Sequence, residues 1–234
     1  MEVAVDSLPG ALIAVESGAG RLELCASLDG GGVTPSIGLL ESVLGRVSVP
    51  VMVLVRPRTG GFVYGPDEQA IVTRDIRSLV GAGAAGVVVG ALDPESGLDL
   101  GALDAWLDEA AGAPVTFHRA FDCCRDLRLA HRQLVERGVQ RVLTAGGTGR
   151  ALDGLQLLAE LAAHGASSEA GAILPGGGLR AAHVTQVLAA TGGSEVHTSG
   201  RTDASAVLPG SGEYPGLTMP DPAELVAMAR ALGE

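Results

Sequence analysis

The chain has 234 residues with 16 basic and 27 acidic side chains, a formal charge of −11. Every base is arginine, so no lysine can serve as Schiff-base nucleophile, pyridoxal-phosphate anchor or Walker lysine. Hydrophobic residues make up 47% and aromatic residues 3%, which suffices for one sizeable core. The same composition supplies neither the basic field nor the stacking platforms that nucleic-acid binding needs.

The first strand is expected at Val3–Val5, flanked by the acids Glu2 and Asp6 where a signal peptide would need a basic region. No stretch approaches the roughly 18 apolar residues of a membrane span, so no membrane partner is expected. Further strands are expected at Arg21–Cys25, Pro50–Val55, Gly86–Gly90, Pro114–His118, Gln140–Thr144, Ala172–Leu174 and Glu195–Thr198. Each is followed by residues with helical spacing. Within Asp67–Gly81, for example, Val72, Ile76, Leu79 and Val80 share one face, with Asp67 as the cap and Gly81 or Gly83 as the exit. Three segments, Glu16–Leu22, Val80–Ala84 and Val135–Val142, end a helix on glycine and run into an apolar strand, a weak internal repeat. Gly200–Pro220 is the one long irregular stretch. The last helix, 221–233, opens Asp221-Pro222-Ala223-Glu224, with a capping acid, proline at the first helical position and glutamate three residues after the cap.

Eight such units predict an α/β fold, the closed (β/α)8 TIM barrel, as a single domain over 1–234. Gly81-Ala82-Gly83-Ala84-Ala85-Gly86 matches G-x-G-x-x-G, but it leaves a helix and enters a strand, the reverse of a dinucleotide fingerprint.

Chemistry in such a barrel gathers at the carboxyl ends of the strands. A carboxylate inside the apolar run Leu22-Glu23-Leu24 must pair or neutralise if it points inward, with Arg56, His118 and Arg119 as candidate partners. Glu23 and His118 are therefore the expected acid–base pair, with Arg56 holding the substrate. Arg58, Arg119, Asp122, Thr144, Gly177, Gly178, His197, Ser199 and Arg201 are the candidate ligand-binding residues. The loops Ala145-Gly146-Gly147, Gly176-Gly177-Gly178 with a helix starting near Leu179, and Thr198-Ser199-Gly200 beside Arg201 offer backbone donors to a small anionic or phosphorylated ligand. His131, His164 and His183 fall in helical stretches and are expected at the surface or its boundary.

Cys25, Cys123 and Cys124 are too few and too oddly spaced for a disulfide framework or a C-x-x-C site, which predicts a reducing, cytoplasmic setting. A Cu(I) thiolate site would join Cys25 to Cys123 or Cys124 across strands two and five, nearly opposite on the ring.

Several segments together resemble the CutC copper homeostasis family: Arg21-Leu22-Glu23-Leu24-Cys25, Gly31–Ser36, Arg56-Pro57-Arg58 with Phe62 and Tyr64, Thr116–Asp122, Arg141–Thr144, Pro175–Gly178 and Glu195-Val196-His197. The resemblance covers about residues 2–201. It implies a cytoplasmic TIM barrel, a homodimer, and an association with copper without an agreed reaction. Ala145 and Thr198 stand where the family usually has serine, and strand one has no cysteine. Three functions follow as expectations: copper(I) handling, acid–base catalysis on a small anionic metabolite, or a non-catalytic interaction scaffold.

Overall fold

The computed structural model describes residues 1–165, 168, 170–202, 206–210 and 216–233. Strands β1 (Glu2–Val5), β2 (Arg21–Leu24), β3 (Val51–Leu54), β4 (Gly86–Val89), β5 (Val115–Phe117), β6 (Arg141–Thr144), β7 (Ala172–Pro175) and β8 (His197–Thr198) fall where the β-branched runs place them. They alternate with helices α1 (Leu8–Glu16), α2 (Ile37–Leu44), α3 (Pro66–Gly81), α4 (Leu100–Glu109), α5 (Leu127–Glu136), α6 (Leu155–Gly165), α7 (Val184–Thr191) and α8 (Pro222–Leu232). All eight strands are parallel, in the order β7-β6-β5-β4-β3-β2-β1-β8, which makes a (β/α)8 barrel. Backbone pairing stops at the β7–β8 seam. Side chains close it there: Thr198 Oγ1 donates to Leu179 O at 3.5 Å, and Gly176 packs against the His197 ring.

Period-two alternation sorts each strand between two environments. Val3, Val5, Leu22, Leu24, Val53, Val87, Val89, Val115, Phe117 and Val142 face outward and form one core with the helices. Inside the barrel, Cys25, Met52, Leu54 and Val88 form a second, small apolar cluster. Inward positions of β1, β2 and β8 instead include the polar Glu2, Arg21, Glu23 and His197, and register explains their meeting. Glu2 stands directly opposite Arg21 on one side and His197 on the other, while Glu23 lies opposite Ala4.

Short polar side chains start the helices: Ser7, Ser36, Asp99 and Asp126 accept from Gly10, Leu39, Ala102 and Leu129 N–H at 3.2, 3.2, 3.0 and 2.9 Å. α3 begins one residue earlier than its sequence suggests. Gly65 is the cap and Asp67 sits in the first turn, because Pro66 has the preset φ that suits the first helical position. The repeated glycine exits share one geometry: Gly18, Gly83 and Gly138 adopt φ of 99°, 101° and 74°. The next residue in each case, Ala19, Ala84 or Val139, donates back to Ala14, Leu79 or Leu134 O at 2.9, 3.1 and 3.1 Å.

Asp221 caps α8 as expected, but Glu224 does not complete the box; its Oε1 accepts from Ala181 N at 2.7 Å and ties α8 to the loop before α7. Within 200–220, Val207–Leu208 (β9) and Leu217–Thr218 (β10) form an antiparallel pair, and 203–205 and 211–215 lie outside the described residues. His131, expected near the surface, is fully buried, since it lies on the inner face of α5 and its Nε2 meets Gly171 O at 2.8 Å. Among the described residues, no helix is long and apolar enough to cross a membrane.

Candidate functional site

A cavity of about 270 Å³ opens at the carboxyl ends of the strands. Its floor carries Glu23 and His197, its apolar walls are Leu28, Leu54, Phe62 and Leu143, and Gly177, Gly178, Arg180 and Ser199 form one rim. The position is the one where barrels of this kind place their chemistry.

The floor is an ionic chain along the barrel axis. His197 Nδ1 lies 2.7 Å from Glu2 Oε1 and 3.9 Å from Glu23 Oε2. Arg21 Nε donates to Glu2 Oε2, while its terminal nitrogens make a fork to Glu195 at 3.1 and 3.0 Å. Arg141 Nε donates to the same Glu195 at 3.0 Å. Burial, with the Glu2 charge as a lesser contributor, pushes the Glu23 carboxyl up to about 7. Burial alone would lower the imidazole of His197, but the carboxylates of Glu23 and Glu2 outweigh it and raise the group. Burial would likewise raise Glu2; His197, then Arg21, hold it below the usual carboxylate range. Glu23 Oε2 is buried without a hydrogen-bond partner.

The partner of Glu23 is therefore His197, not His118, Arg56 or Arg119. β8, β1 and β2 are consecutive around the ring, whereas β5, which leads to His118, is three strands from β2. His118 accepts from Ala120 N at its Nδ1, 3.1 Å away, so Nε2 carries the proton and has no protein partner. Burial, followed by the charge of Arg56, lowers His118 to about 3. It is a neutral donor near pH 7, and Gly90 is needed beneath it, since a Cβ there would stand 2.5 Å from its ring.

Arg56 is engaged by loop carbonyls, donating to Gly31, Gly32 and Gly60 O at 3.1, 2.9 and 2.6 Å, with its guanidinium 4.9 Å from the Phe62 ring centre. It shapes the wall instead of offering a fork to a substrate. Arg58 pairs with Glu68 over Tyr64 and lies outside the cavity lining. Arg201 bridges Asp6 and Asp29 at 2.8 and 2.6 Å, a latch between the first, second and eighth loops.

The glycine loop after β6 already holds an anion of the chain's own. Asp122 accepts from Ala145 and Gly147 N at 3.1 and 2.9 Å, from the Thr144 hydroxyl, and from Arg119 Nε at 2.8 Å. Thr144 and Asp122 are thus structural ties. The loop after β7 differs: α7 starts only at Val184, so Gly177 and Gly178 do not open a helix near Leu179, yet they line the cavity with Ser199. Neither Arg180 nor Arg150 stands out in the sequence; they lie two residues after Gly178 and three after Gly147 of the loop motifs, and that adjacency is the available signal.

Cys25 is buried in the interior cluster, its thiol donating to Val5 O at 3.5 Å. Burial, then the charges of Glu23 and Asp6, pushes that thiol well above its ordinary value. Cys123 is exposed and Cys124 half-buried, the latter pushed up to about 12 by burial and then by Cys123 and Asp122. Among the described residues, the one set of three His, Cys, Asp or Glu side chains with ligand atoms within 4.8 Å of each other is Glu2, Glu23 and His197. Two carboxylates and an imidazole suit a hard or borderline divalent ion better than Cu(I), and Arg21 already occupies one oxygen.

The profile of the CutC family matches residues 1–202. The chain belongs to the CutC family. A CutC family protein of Xanthomonas campestris pv. campestris (strain 8004) is 43% identical over 206 residues, 88% of this chain and 85% of that protein. One from Xylella fastidiosa (strain Temecula1) is 40% identical over 214 residues, 92% and 79% of the two chains. The crystal structure of CutC from Streptococcus agalactiae, a protein named for copper homeostasis, superposes with a TM-score of 0.79 at 29% identity, covering 85% of this chain and 97% of that one. Phosphoribosyl anthranilate isomerase from Thermotoga maritima, at TM-score 0.60 and 13% identity, covers 99% of this chain and 97% of its own and shares the fold alone. The CutC match stops at 202, yet α8 beyond it buries Leu225, Met228 and Ala229 and packs on α7 and α1.

Proposed function

We propose that this CutC family member is a barrel enzyme that moves a proton on a small anionic metabolite at the cavity, with Glu23 and His197 as the exchanging groups. The observation that carries the reading is Glu23, a carboxyl at the cavity floor held up at about 7, 3.9 Å from an imidazole that is itself raised. One group is moved up into the neutral range and the other up from its lower edge, so the two can share one proton near pH 7 and deliver or remove it. Glu2 receives Nδ1–H of His197, which orients the ring and leaves Nε2 for the substrate. His118 adds a neutral Nε2–H donor for an oxygen that gains charge during the transfer.

The test is proton exchange. The protein is incubated in D2O with a panel of small phosphorylated and carboxylated sugars and keto acids, and C–H signals are followed by NMR. At least one member is expected to exchange, with His197→Gln and Glu23→Gln each slowing it by about 10²–10⁴-fold. No exchange across the panel, together with no ligand-induced thermal stabilisation, would overturn the proposal.

A second reading, copper(I) as cargo in a reducing cytoplasm, has one observation of its own: the adjacent thiols Cys123 and Cys124, with Cys123 exposed. The name of the Streptococcus agalactiae relative points the same way. Titration of the reduced protein with Cu(I) against a competing chelator decides it. This reading expects affinity to be lost in Cys123→Ser/Cys124→Ser, and unchanged affinity in a variant that also carries Cys25→Ser removes it.

A further inference from the structure

We infer that the loop after β7 is a subsite for a phosphate monoester, with Arg180 and Arg150 as its guanidinium arms. The inference rests on the proposed function and names the group by which the substrate is held. Its first support is the backbone. Gly177, Gly178 and Leu179 present three consecutive N–H groups with no hydrogen-bond partner among the described residues, although Leu179 is buried. Gly177 and Gly178 have φ of 105° and 64°, and successive free N–H groups on left-handed glycines are the backbone pattern that cradles oxyanions.

The second support is independent of the backbone. A Cβ at Gly177 would stand 3.3 Å from the guanidinium of Arg119, and one at Gly178 would stand 3.7 Å from Arg150 Nε, so the bare glycines let two arginines close on the loop. Ala151 N donates to Gly177 O at 3.0 Å and fixes the Arg150 segment there. Arg180, two residues further on, lines the cavity, and among the described residues its guanidinium makes one bond, to Leu179 O at 3.3 Å. Arg58, Arg77, Arg128 and Arg137 each face a carboxylate on the outer surface. Among the described residues neither Arg150 nor Arg180 makes a direct ion pair, and the carboxylate that feels Arg180, Asp221, is turned to the Thr202 hydroxyl and the first turn of α8. Both charges reach His183, which burial and then these two arginines hold below its ordinary value.

Charge selects the ligand class. Arg119 is paired with Asp122, which leaves Arg150 and Arg180 as the guanidinium groups by this loop without a direct ion pair among the described residues. A phosphate monoester dianion supplies two negative charges and three terminal oxygens, whereas a carboxylate supplies one charge and two oxygens. The same cavity is lined by this loop and by Glu23 and His197, so a phosphate held at the loop would keep the rest of the molecule within reach of the acid–base pair.

The experiment uses the intact chain and inorganic phosphate as the probe, followed by calorimetry and 31P NMR, with acetate as comparator. Saturable phosphate binding at least 10-fold tighter than acetate is expected. Arg150→Met and Arg180→Met should each weaken it 10-fold or more with the thermal midpoint unchanged, Arg180→Lys should recover part of it, and Glu23→Gln should leave it intact. Absence of saturable phosphate binding, or equal affinity in the Arg150→Met/Arg180→Met double variant, overturns the subsite. Phosphate binding without proton exchange on any panel member upholds the subsite and removes the acid–base reading. Exchange on a carboxylated substrate without phosphate binding does the reverse.

Discussion

Replacing Arg21 with leucine is expected to destabilise the fold by about 3–5 kcal/mol, the cost of leaving one member of a buried ion pair alone. Glu2 is fully buried and its Oε2 is held by Arg21; without the guanidinium the carboxylate keeps only His197, and Glu195 loses its fork. For a chain of this size the loss corresponds to a fall of about 10 °C or more in Tm. The deficit should shrink as the pH is lowered, because a Glu2 deprived of Arg21 takes up a proton more readily and a neutral carboxyl needs no cation. Glu195→Gln, at a half-exposed position, should cost far less. Urea unfolding at pH 5 and pH 8 checks both points; a loss below 1 kcal/mol at pH 8 would mean that Arg21 is dispensable to the axial chain.

The second large effect is a Glu23 contribution to stability that declines with rising pH and is read from the difference between the parent and Glu23→Gln. Glu23 in the folded chain titrates at about 7, above its ordinary 4.5. Between those values the folded state holds a proton that the unfolded state has released, so the Glu23 contribution to stability falls as pH rises from about 4.5 through 7, by roughly 3 kcal/mol in all. His197 acts in the same direction: its raised folded value gives stability that is complete below its unfolded value and is lost as pH rises through the folded one. Glu2 and Glu195 are lowered, Glu195 to about 2 despite the opposing effect of burial, by His197 and Arg21 and by Arg21 and Arg141 respectively. Their stability is present above about 4.5 and lost as pH falls through their folded values. His118 acts the other way: burial and then Arg56 hold it at about 3 against an ordinary 6.5, so its contribution rises with pH between those values and offsets the Glu23 decline up to about 6.5, which leaves a net fall only above that point. In Glu23→Gln the His118 contribution is no longer offset, so stability should rise between about 4.5 and 6.5 where the parent is nearly level, and above pH 7 the variant should be more stable than the parent, since a neutral amide replaces a buried charge. Denaturant midpoints of parent and variant at pH 5, 6, 7 and 8 measure this; a difference between the two that stays constant over that range would contradict the raised carboxyl.

How far the site could be read from the sequence differs residue by residue. Glu23 was marked by chemistry alone, because a carboxylate between two leucines of a strand has few places to go. His197 was marked by its position at a strand end, but its partnership was not, since pairing depends on which strands are neighbours on the cylinder. His118 has the more conspicuous motif, Thr116-Phe117-His118-Arg119, and the wrong neighbours for a base. The arginines divide by partner choice: Arg56 meets loop carbonyls and Arg201 meets two aspartates, while Arg150 and Arg180, in less conspicuous loops, meet no carboxylate among the described residues.

What the sequence determines by itself is local or periodic: eight apolar strands, their helices, the capping aspartates and serines, and glycine exits whose left-handed backbone no other residue adopts as easily. These suffice for the barrel because closure follows from eight repeated units with one buried face each. Only the tertiary structure decides which charges neutralise one another, because that depends on register across β8, β1 and β2 and on loops that meet only once the ring has closed. Thus an absence of lysine leaves arginine as the chain's basic side chain, and the fold divides those arginines between binding the chain to itself and facing the cavity.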